Sequence, residues 1–82
     1  MTESSIQEQL VRRVADILAV PPESIRVADP LHTLGLDSMR MVEILVFVEK
    51  QFKLDLMELN LNREDLFSIE ALARTIGKHR SA

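Results

Sequence analysis

The 82-residue sequence contains no cysteine, no tryptophan and no tyrosine, and only three phenylalanines. Without cysteine the chain forms no disulfide and holds no thiolate-bound zinc. Its two histidines, His32 and His79, lie far apart, and no ligand spacing around them indicates a metal site. We therefore expect no metal, and a core built from leucine, isoleucine, valine and methionine.

Long apolar runs and strong charge are also absent. There is no stretch of about 20 apolar residues, and residues 1–5 do not open a secretory signal, which predicts a cytoplasmic protein without membrane contact. The net charge of −3 argues against nucleic acid as a partner. The length predicts a single domain over residues 1–82, monomeric, with an ordered bundle over about residues 5–78 and frayed termini.

The apolar periodicity predicts a first helix over residues 6–19, started by a capping box from Ser5 to Glu8. The pair Pro21-Pro22 ends this helix. Residues 20–37 then form a long loop that is pinned to the bundle by its apolar side chains, with one helical turn near residues 22–25.

The later helices follow from caps and periodicity. Asp37 is a capping acid for a strong helix over residues 38–52. Residues 53–61 alternate like a strand, but a lone strand has no partner, so a packed loop is predicted. Asn62 caps a short helix over residues 63–67. Ser68 caps a last helix, whose buried stripe is Ile69, Leu72, Ala73 and Ile76.

The helix over residues 38–52 has two apolar faces at about 100° per residue. The first is a core stripe of Met41, Ile44, Leu45, Val48 and Phe52; the second consists of Met39, Val42 and Val46, flanked by Glu43, Glu49 and Lys50. Either the helix is buried nearly all round, or the second face is an exposed docking surface for a partner with an apolar, basic groove. The small size of the domain favours the docking surface.

Ser38 begins this helix, where unpaired N–H groups and a partial positive charge favour a phosphate. A phosphodiester on its hydroxyl and an ordinary first-turn serine are equally open from these residues alone. A hydrolase nucleophile is disfavoured, because neither histidine has an orienting acid and the Gly-x-Ser-x-Gly elbow is absent.

The block Leu34-Gly35-Leu36-Asp37-Ser38-Met39, followed by Val42-Glu43 and Phe52, resembles the phosphopantetheine attachment site of acyl carrier proteins. The resemblance runs over nearly the whole chain. It implies an all-α, four-helix bundle with a long first loop and a short third helix. It also implies that a Mg²⁺-dependent phosphopantetheinyl transferase moves 4'-phosphopantetheine from coenzyme A onto Ser38, supported by Asp37. Acyl groups then ride as thioesters on the thiol of that arm.

By the same resemblance the chain is a non-catalytic carrier. It is loaded by a ligase or acyltransferase, and it delivers acyl groups to a downstream synthase or transferase. The family's partner-docking positions correspond to Met39, Val42, Glu43, Val46, Glu49 and Leu56, and Arg40 joins them as a docking candidate.

Several residues depart from the fatty-acid carriers. Arg40 replaces a typical acid, Lys50 and Gln51 interrupt the acids before Phe52, and the Pro-Asp step near Leu56 is missing. These departures, and the Met1 start, favour a discrete carrier in polyketide or related specialised biosynthesis. An aminoacyl or starter-unit carrier is the alternative within the class, and a helical interaction or regulatory module without an arm is the alternative outside it.

Overall fold

The computed structural model describes residues 2–59 and 61–81, except for the side chains of residues 56, 80 and 81. Four α-helices follow one another: α1 (Glu3–Leu18), α2 (Ser38–Phe52), α3 (Leu56–Leu59) and α4 (Ile69–Ser81). Two 3₁₀ turns, Pro22–Ser24 and Leu31–Leu34, lie between α1 and α2. Within the described residues the β-structure is an isolated bridge between Pro30 and Ser68. The predicted all-α, four-helix fold is confirmed.

Helix α1 begins one turn earlier than the sequence predicted. Thr2 is its N-cap, and the Thr2 hydroxyl accepts a hydrogen bond from the Ser5 N–H at 3.1 Å. The predicted Ser5–Glu8 capping box is therefore wrong, because Ser5 already lies inside the first turn. At the other end Ala19 adopts a left-handed conformation (φ 58°), so that α1 stops before Pro21 is reached.

Helix α1 runs antiparallel to both α2 and α4. Gln51 of α2 donates a hydrogen bond to Gln9 of α1 at 2.8 Å. In α4, a Cβ atom on Gly77 would lie 3.8 Å from Ile6 and 3.9 Å from Glu3. The N-termini of α2 and α4 therefore lie at the same end of the bundle as the C-terminus of α1.

The core is aliphatic apart from one aromatic ring. Its fully buried side chains come from α1, α2 and α4, and the largest are Phe52, Ile6, Leu10, Ile44, Ile69, Leu72, Ile76, Val14 and Val48. Ile69, Leu72, Ala73 and Ile76 form the buried stripe of α4, as predicted.

The long first loop is attached to the start of α4 by backbone hydrogen bonds. The Leu31 N–H donates to the Phe67 carbonyl at 2.8 Å, and the Glu70 N–H donates to the Val27 carbonyl at 3.0 Å. The Leu31 and Leu36 side chains are buried. The prediction of a loop pinned by apolar side chains is confirmed, and its predicted helical turn is the 3₁₀ turn at Pro22–Ser24.

The short third helix lies elsewhere than predicted. Residues 56–59, assigned to a packed loop, form α3, which Asp55 starts by accepting a hydrogen bond from the Met57 N–H at 2.9 Å. The alternation around Asp55 thus reflects a cap and one helical turn.

Residues 63–66, predicted to be helical, form turns instead. Asn62 does accept a hydrogen bond from the Asp65 N–H at 2.9 Å, and Asp65 accepts one from the Asn62 N–H at 3.1 Å. This reciprocal pair looks like a helix start but closes a turn.

The start of α4 is capped as predicted, since the Ser68 hydroxyl accepts a hydrogen bond from the Ala71 N–H at 3.1 Å. The helix continues past Gly77 to Ser81. Helices thus extend from Glu3 at the start of α1 to Ser81 at the end of α4, and the single domain over residues 1–82 stays a prediction.

Candidate functional site

Ser38 is the first residue of α2, and its side chain is exposed. Asp37 precedes it as the N-cap in an extended conformation, and the Asp37 carboxylate accepts a hydrogen bond from the Arg40 N–H at 2.9 Å. The predicted cap is therefore confirmed. It leaves the Ser38 hydroxyl facing solvent, beside the unpaired N–H groups of the first turn.

The segment leading to Ser38 is shaped by a glycine and a buried leucine. Gly35 ends the Leu31–Leu34 turn at φ +99°, a conformation that other residues rarely adopt. Leu36 is then buried in the core. The Arg40 guanidinium donates a hydrogen bond back to the Gly35 carbonyl at 3.3 Å. The turn, the anchor and the cap thus fix the path of the chain around Ser38.

The local electrostatics suit a phosphodiester on the Ser38 hydroxyl. The N-terminus of α2 carries a partial positive charge, and the Arg40 guanidinium lies in the first turn of the same helix. The hydroxyl makes no hydrogen bond to the described part of the chain, so that modification would break none. An exposed, anion-favouring hydroxyl is the arrangement that a covalently attached phosphopantetheine group requires.

The two histidines lie in different elements of the chain. His32 lies exposed in the second 3₁₀ turn, and His79 lies in α4. Among residues 2–59 and 61–81, no group of three His, Cys, Asp or Glu side chains is placed to hold a metal ion. None of the helices in this part of the chain has both the length and the apolar content needed to cross a bilayer.

Helix α2 is exposed along its second apolar face. Met39, Val42 and Val46 are 78%, 57% and 40% exposed, whereas Ile44 and Val48 on the opposite side are buried. The interpretation of α2 as buried all round is therefore wrong, and the second face is a solvent-exposed apolar stripe. Its function in docking stays a prediction.

Of the other predicted docking residues, Arg40, Glu43 and Glu49 lie on α2, and Leu56 lies on α3. Arg40 and Glu43 are exposed, and Glu49 is half-buried. The backbone of Leu56 belongs to α3, but its side chain lies outside the described residues. Leu45, predicted to be in the core, is half-buried at the border between the two faces.

A groove between α1 and α2 was not predicted from the sequence. The Arg13 guanidinium lies 5.3 Å from the centre of the Phe47 ring, and these two residues form part of its wall. The available signal was Phe47 itself, a large apolar residue on neither predicted stripe of α2. Outside α2, three large apolar side chains of the described residues are exposed: Val20 after α1, Met57 in α3 and Phe67 before α4.

Comparisons with known proteins give a consistent result. The family model described as "phosphopantetheine attachment site" matches residues 8–76. A reducing polyketide synthase of Floropilus chiversii is 36% identical over 56 residues, which cover 66% of this chain and 2% of that protein. The probable polyketide synthase 1 of Dictyostelium discoideum is 33% identical over 52 residues, covering 63% and 2%.

A highly reducing polyketide synthase of Cryptosporiopsis sp. (strain 8999) is 39% identical over 49 residues, which cover 60% of this chain and 2% of that protein. The chain thus spans about 2% of the length of these relatives. No solved structure gives a significant match.

The family match and the local geometry agree. The family model matches most of the chain, including the capped start of α2 and the bundle that supports it. Members of this family carry covalently attached 4'-phosphopantetheine, and the exposed hydroxyl at the start of α2 fits such a group. The chain therefore belongs to the phosphopantetheine attachment site family of carrier domains, and its relatives are carrier regions of polyketide synthases.

Proposed function

We propose that Ser38 carries the phosphopantetheine arm and that the chain shuttles acyl groups between partner enzymes. The observation that supports this proposal is the exposed Ser38 hydroxyl at the N-terminus of α2, which is capped by Asp37. In the attachment step Ser38 Oγ attacks the phosphorus that bears pantetheine and its proton passes to a base of the transferase. The P–O–P bridge of coenzyme A breaks, and adenosine 3',5'-bisphosphate leaves. Once attached, the arm supplies a thiol that holds acyl groups as thioesters.

The residues of the chain itself hold and present this group. Gly35 turns the backbone, Leu36 anchors it, and Asp37 caps the helix, so that the modified serine projects from a fixed point. In this proposal the attachment and acyl-transfer reactions are carried out by other proteins. These are a phosphopantetheinyl transferase, a loading ligase or acyltransferase, and a downstream synthase or transferase.

The partner surface in this proposal is the exposed face of α2. Met39, Val42 and Val46 form its apolar centre, and Glu43 supplies an exposed charge beside them. Ser38 lies at the end of this stripe, so that an enzyme bound to α2 would lie next to the attached arm. Glu49, Arg40 and Leu56 extend the proposed surface.

The polyketide synthases among the relatives support a function in polyketide or related specialised biosynthesis. We assign the chain to this chemistry as a non-catalytic carrier that acts as a monomer in the cytoplasm. Whether it works alone or within a larger synthase does not alter the chemistry at Ser38.

The attachment is tested by incubating the purified chain with coenzyme A and a broad-specificity phosphopantetheinyl transferase. Intact-protein mass spectrometry should show the gain of one phosphopantetheine group. The gain should be lost in Ser38→Ala and kept in Ser4→Ala, the matched control at an exposed first-turn serine of α1. An unmodified wild-type chain, with a second carrier modified in the same reaction, would contradict the proposal.

A further inference from the structure

An open groove of about 530 Å³ runs between α1 and α2. Its lining residues are Arg13, Val42, Glu43, Val46, Phe47, Lys50 and Gln51. Val42 and Val46 are shared with the exposed face of α2, so that the groove continues this face towards α1. The apolar surface beside Ser38 is therefore wider than α2 alone.

Phe47 is held in place from two sides. Its ring packs edge-on against the buried Phe52 ring, with 6.2 Å between centroids and an interplanar angle of 82°. On the other side the Arg13 guanidinium lies 5.3 Å from the Phe47 ring centre. Such aromatic and cation–π contacts fix the orientation of a side chain. The groove therefore has a preformed aromatic wall.

The two cations of the groove form no ion pair with the described residues. The ion pairs identified in the described residues join Arg12 to Glu8 and Arg74 to Glu70, so neither Arg13 nor Lys50 is paired with a carboxylate. Arg13 lies on the α1 wall and Lys50 on the α2 wall. On a chain with a net charge of −3, this is a local site for a negative group.

Glu43 is the one carboxylate that lines this groove. It precedes Lys50 by seven residues on α2, which is two helical turns or about 10 Å. Asp16 lines an adjoining depression together with Arg13, but not this groove. The negative and positive ends of the groove are thus separated along α2.

We infer that this groove binds a segment of a partner enzyme that places an apolar side chain against Val46 and Phe47 and a carboxylate between Arg13 and Lys50. The inference rests on the proposed carrier function, and it specifies the chemistry of the partner. The two apolar faces of residues 38–52 in the sequence predicted a partner with an apolar, basic groove. Arg13 on α1 and Lys50 on α2 favour an acidic, amphipathic partner segment instead.

The probe is a pair of synthetic helical peptides. One presents leucines at positions i and i+4 flanked by glutamates, and the other has each glutamate replaced by lysine. Amide chemical shifts of the isotope-labelled chain report where each peptide binds. The overall charge of −3 favours the lysine peptide, whereas the groove favours the glutamate peptide. We expect the glutamate peptide to shift amides around Arg13, Phe47 and Lys50, with about threefold tighter binding, the effect of one exposed ion pair.

Charge reversal provides the variant test. Arg13→Glu should reverse the preference between the two peptides. Arg26→Glu is the matched control, because it makes the same charge change at an exposed position in the first loop, next to Val27, which is hydrogen-bonded to α4. The control should leave the preference unchanged. Circular dichroism verifies that both variants are folded.

Four results would overturn the inference. The lysine peptide could bind the groove at least as tightly, or neither peptide could shift its amides. Groove shifts that grow with protein concentration in the absence of peptide would show a second copy as occupant. If loading with an acyl group shifted the groove amides and neither peptide did, the groove would hold the cargo and not a partner segment. Peptide binding does not need the phosphopantetheine arm. The peptide experiment can therefore fail although Ser38 is modified, and mass spectrometry can show no modification of Ser38 although the peptide binds.

Discussion

At the scale of single residues, the two glycines of the chain lie in different backbone conformations. Gly35 adopts φ +99° at the turn before Ser38, where a side chain would be strained. Gly77 lies within α4, and a Cβ atom there would make ordinary contacts of 3.8 Å with Ile6 and 3.9 Å with Glu3. The backbone requires glycine at the first position but not at the second.

We therefore expect opposite effects on stability from the same substitution. Gly77→Ala should raise the free energy of unfolding by about 0.5–1 kcal/mol, because alanine is the better helix former. Gly35→Ala should lower it by about 1–2 kcal/mol through the left-handed strain. Urea unfolding followed by circular dichroism measures both, since the chain has no tryptophan or tyrosine for fluorescence. A loss of stability in Gly77→Ala would contradict the packing of α4 against α1.

A helix cap was predictable from the sequence where a single capping residue precedes a single candidate helix. Asp37 and Ser68 were assigned correctly because each precedes a strongly periodic segment, and local hydrogen bonds decide the outcome. At the start of α1, Thr2 and Ser5 are both good caps. The longer helix wins because it adds hydrogen bonds such as the one from the Ile6 N–H to the Thr2 carbonyl, at 3.0 Å.

At the scale of elements, α2 separates two functions on one helix. Ile44, Val48 and Phe52 hold the bundle together, while Met39 and Val46 face solvent. The separation was readable from the sequence, since helical periodicity assigns residues to faces. Which face is buried follows from the larger number of apolar residues on the core side.

Substitutions on the exposed face should spare the fold and impair transfer. Val42→Asp and Val46→Asp should change the free energy of unfolding by about 0.5 kcal/mol or less, as usual for surface positions. Both should slow acyl transfer from the loaded carrier to a partner enzyme, measured by mass spectrometry of the carrier over time.

Ile44→Asp is the control on the opposite face, and it should unfold the chain because it buries an unpaired charge. Unfolding of Val46→Asp would place that face in the core instead. Transfer at the wild-type rate in both surface variants would remove α2 as the docking site.

Helix α3 could not be located from the sequence. It is a four-residue helix, and so short a helix is stabilised by packing and not by its own propensity. Asp55 and Asn62 both form cap-like hydrogen bonds, and both precede plausible turns. The buried Leu59 shows that α3 packs against the core, which is a tertiary contact without a local signature.

At the scale of the whole molecule, the long first loop and α4 form one unit. The loop contributes the Leu31 N–H to the Phe67 carbonyl, and it accepts the Glu70 N–H at the Val27 carbonyl. These bonds join segments that are distant in sequence. Opening one of them requires the loop to separate from the start of α4.

Amide hydrogen exchange tests this connection. We expect the Leu31 and Glu70 amides to exchange slowly and at similar rates, because both are released by the same opening. The Ala28 amide, in the same loop and without a backbone hydrogen bond among those described, should exchange much faster. A Leu31 amide that exchanges as fast as that of Ala28, measured by NMR, would show that the loop moves independently.

Helix pairing was beyond the reach of periodicity. The pattern states which face of each helix is buried, but not which helices meet. The antiparallel contact of α1 with α2 is shown by the Gln9–Gln51 hydrogen bond and the Arg13–Phe47 pair, which join residues far apart in sequence. The four-helix arrangement was predictable only through the family resemblance.

The antiparallel packing has a mechanical consequence. Because Gly77 packs beside Glu3 and Ile6, the outer turns of α1 and α4 meet at one pole of the bundle, and Ser38 occupies the other. A polypeptide fused before α1 and one fused after α4 would both join the bundle at this pole. Rotation of the bundle about that attachment point would then displace Ser38, at the opposite end, by the largest distance.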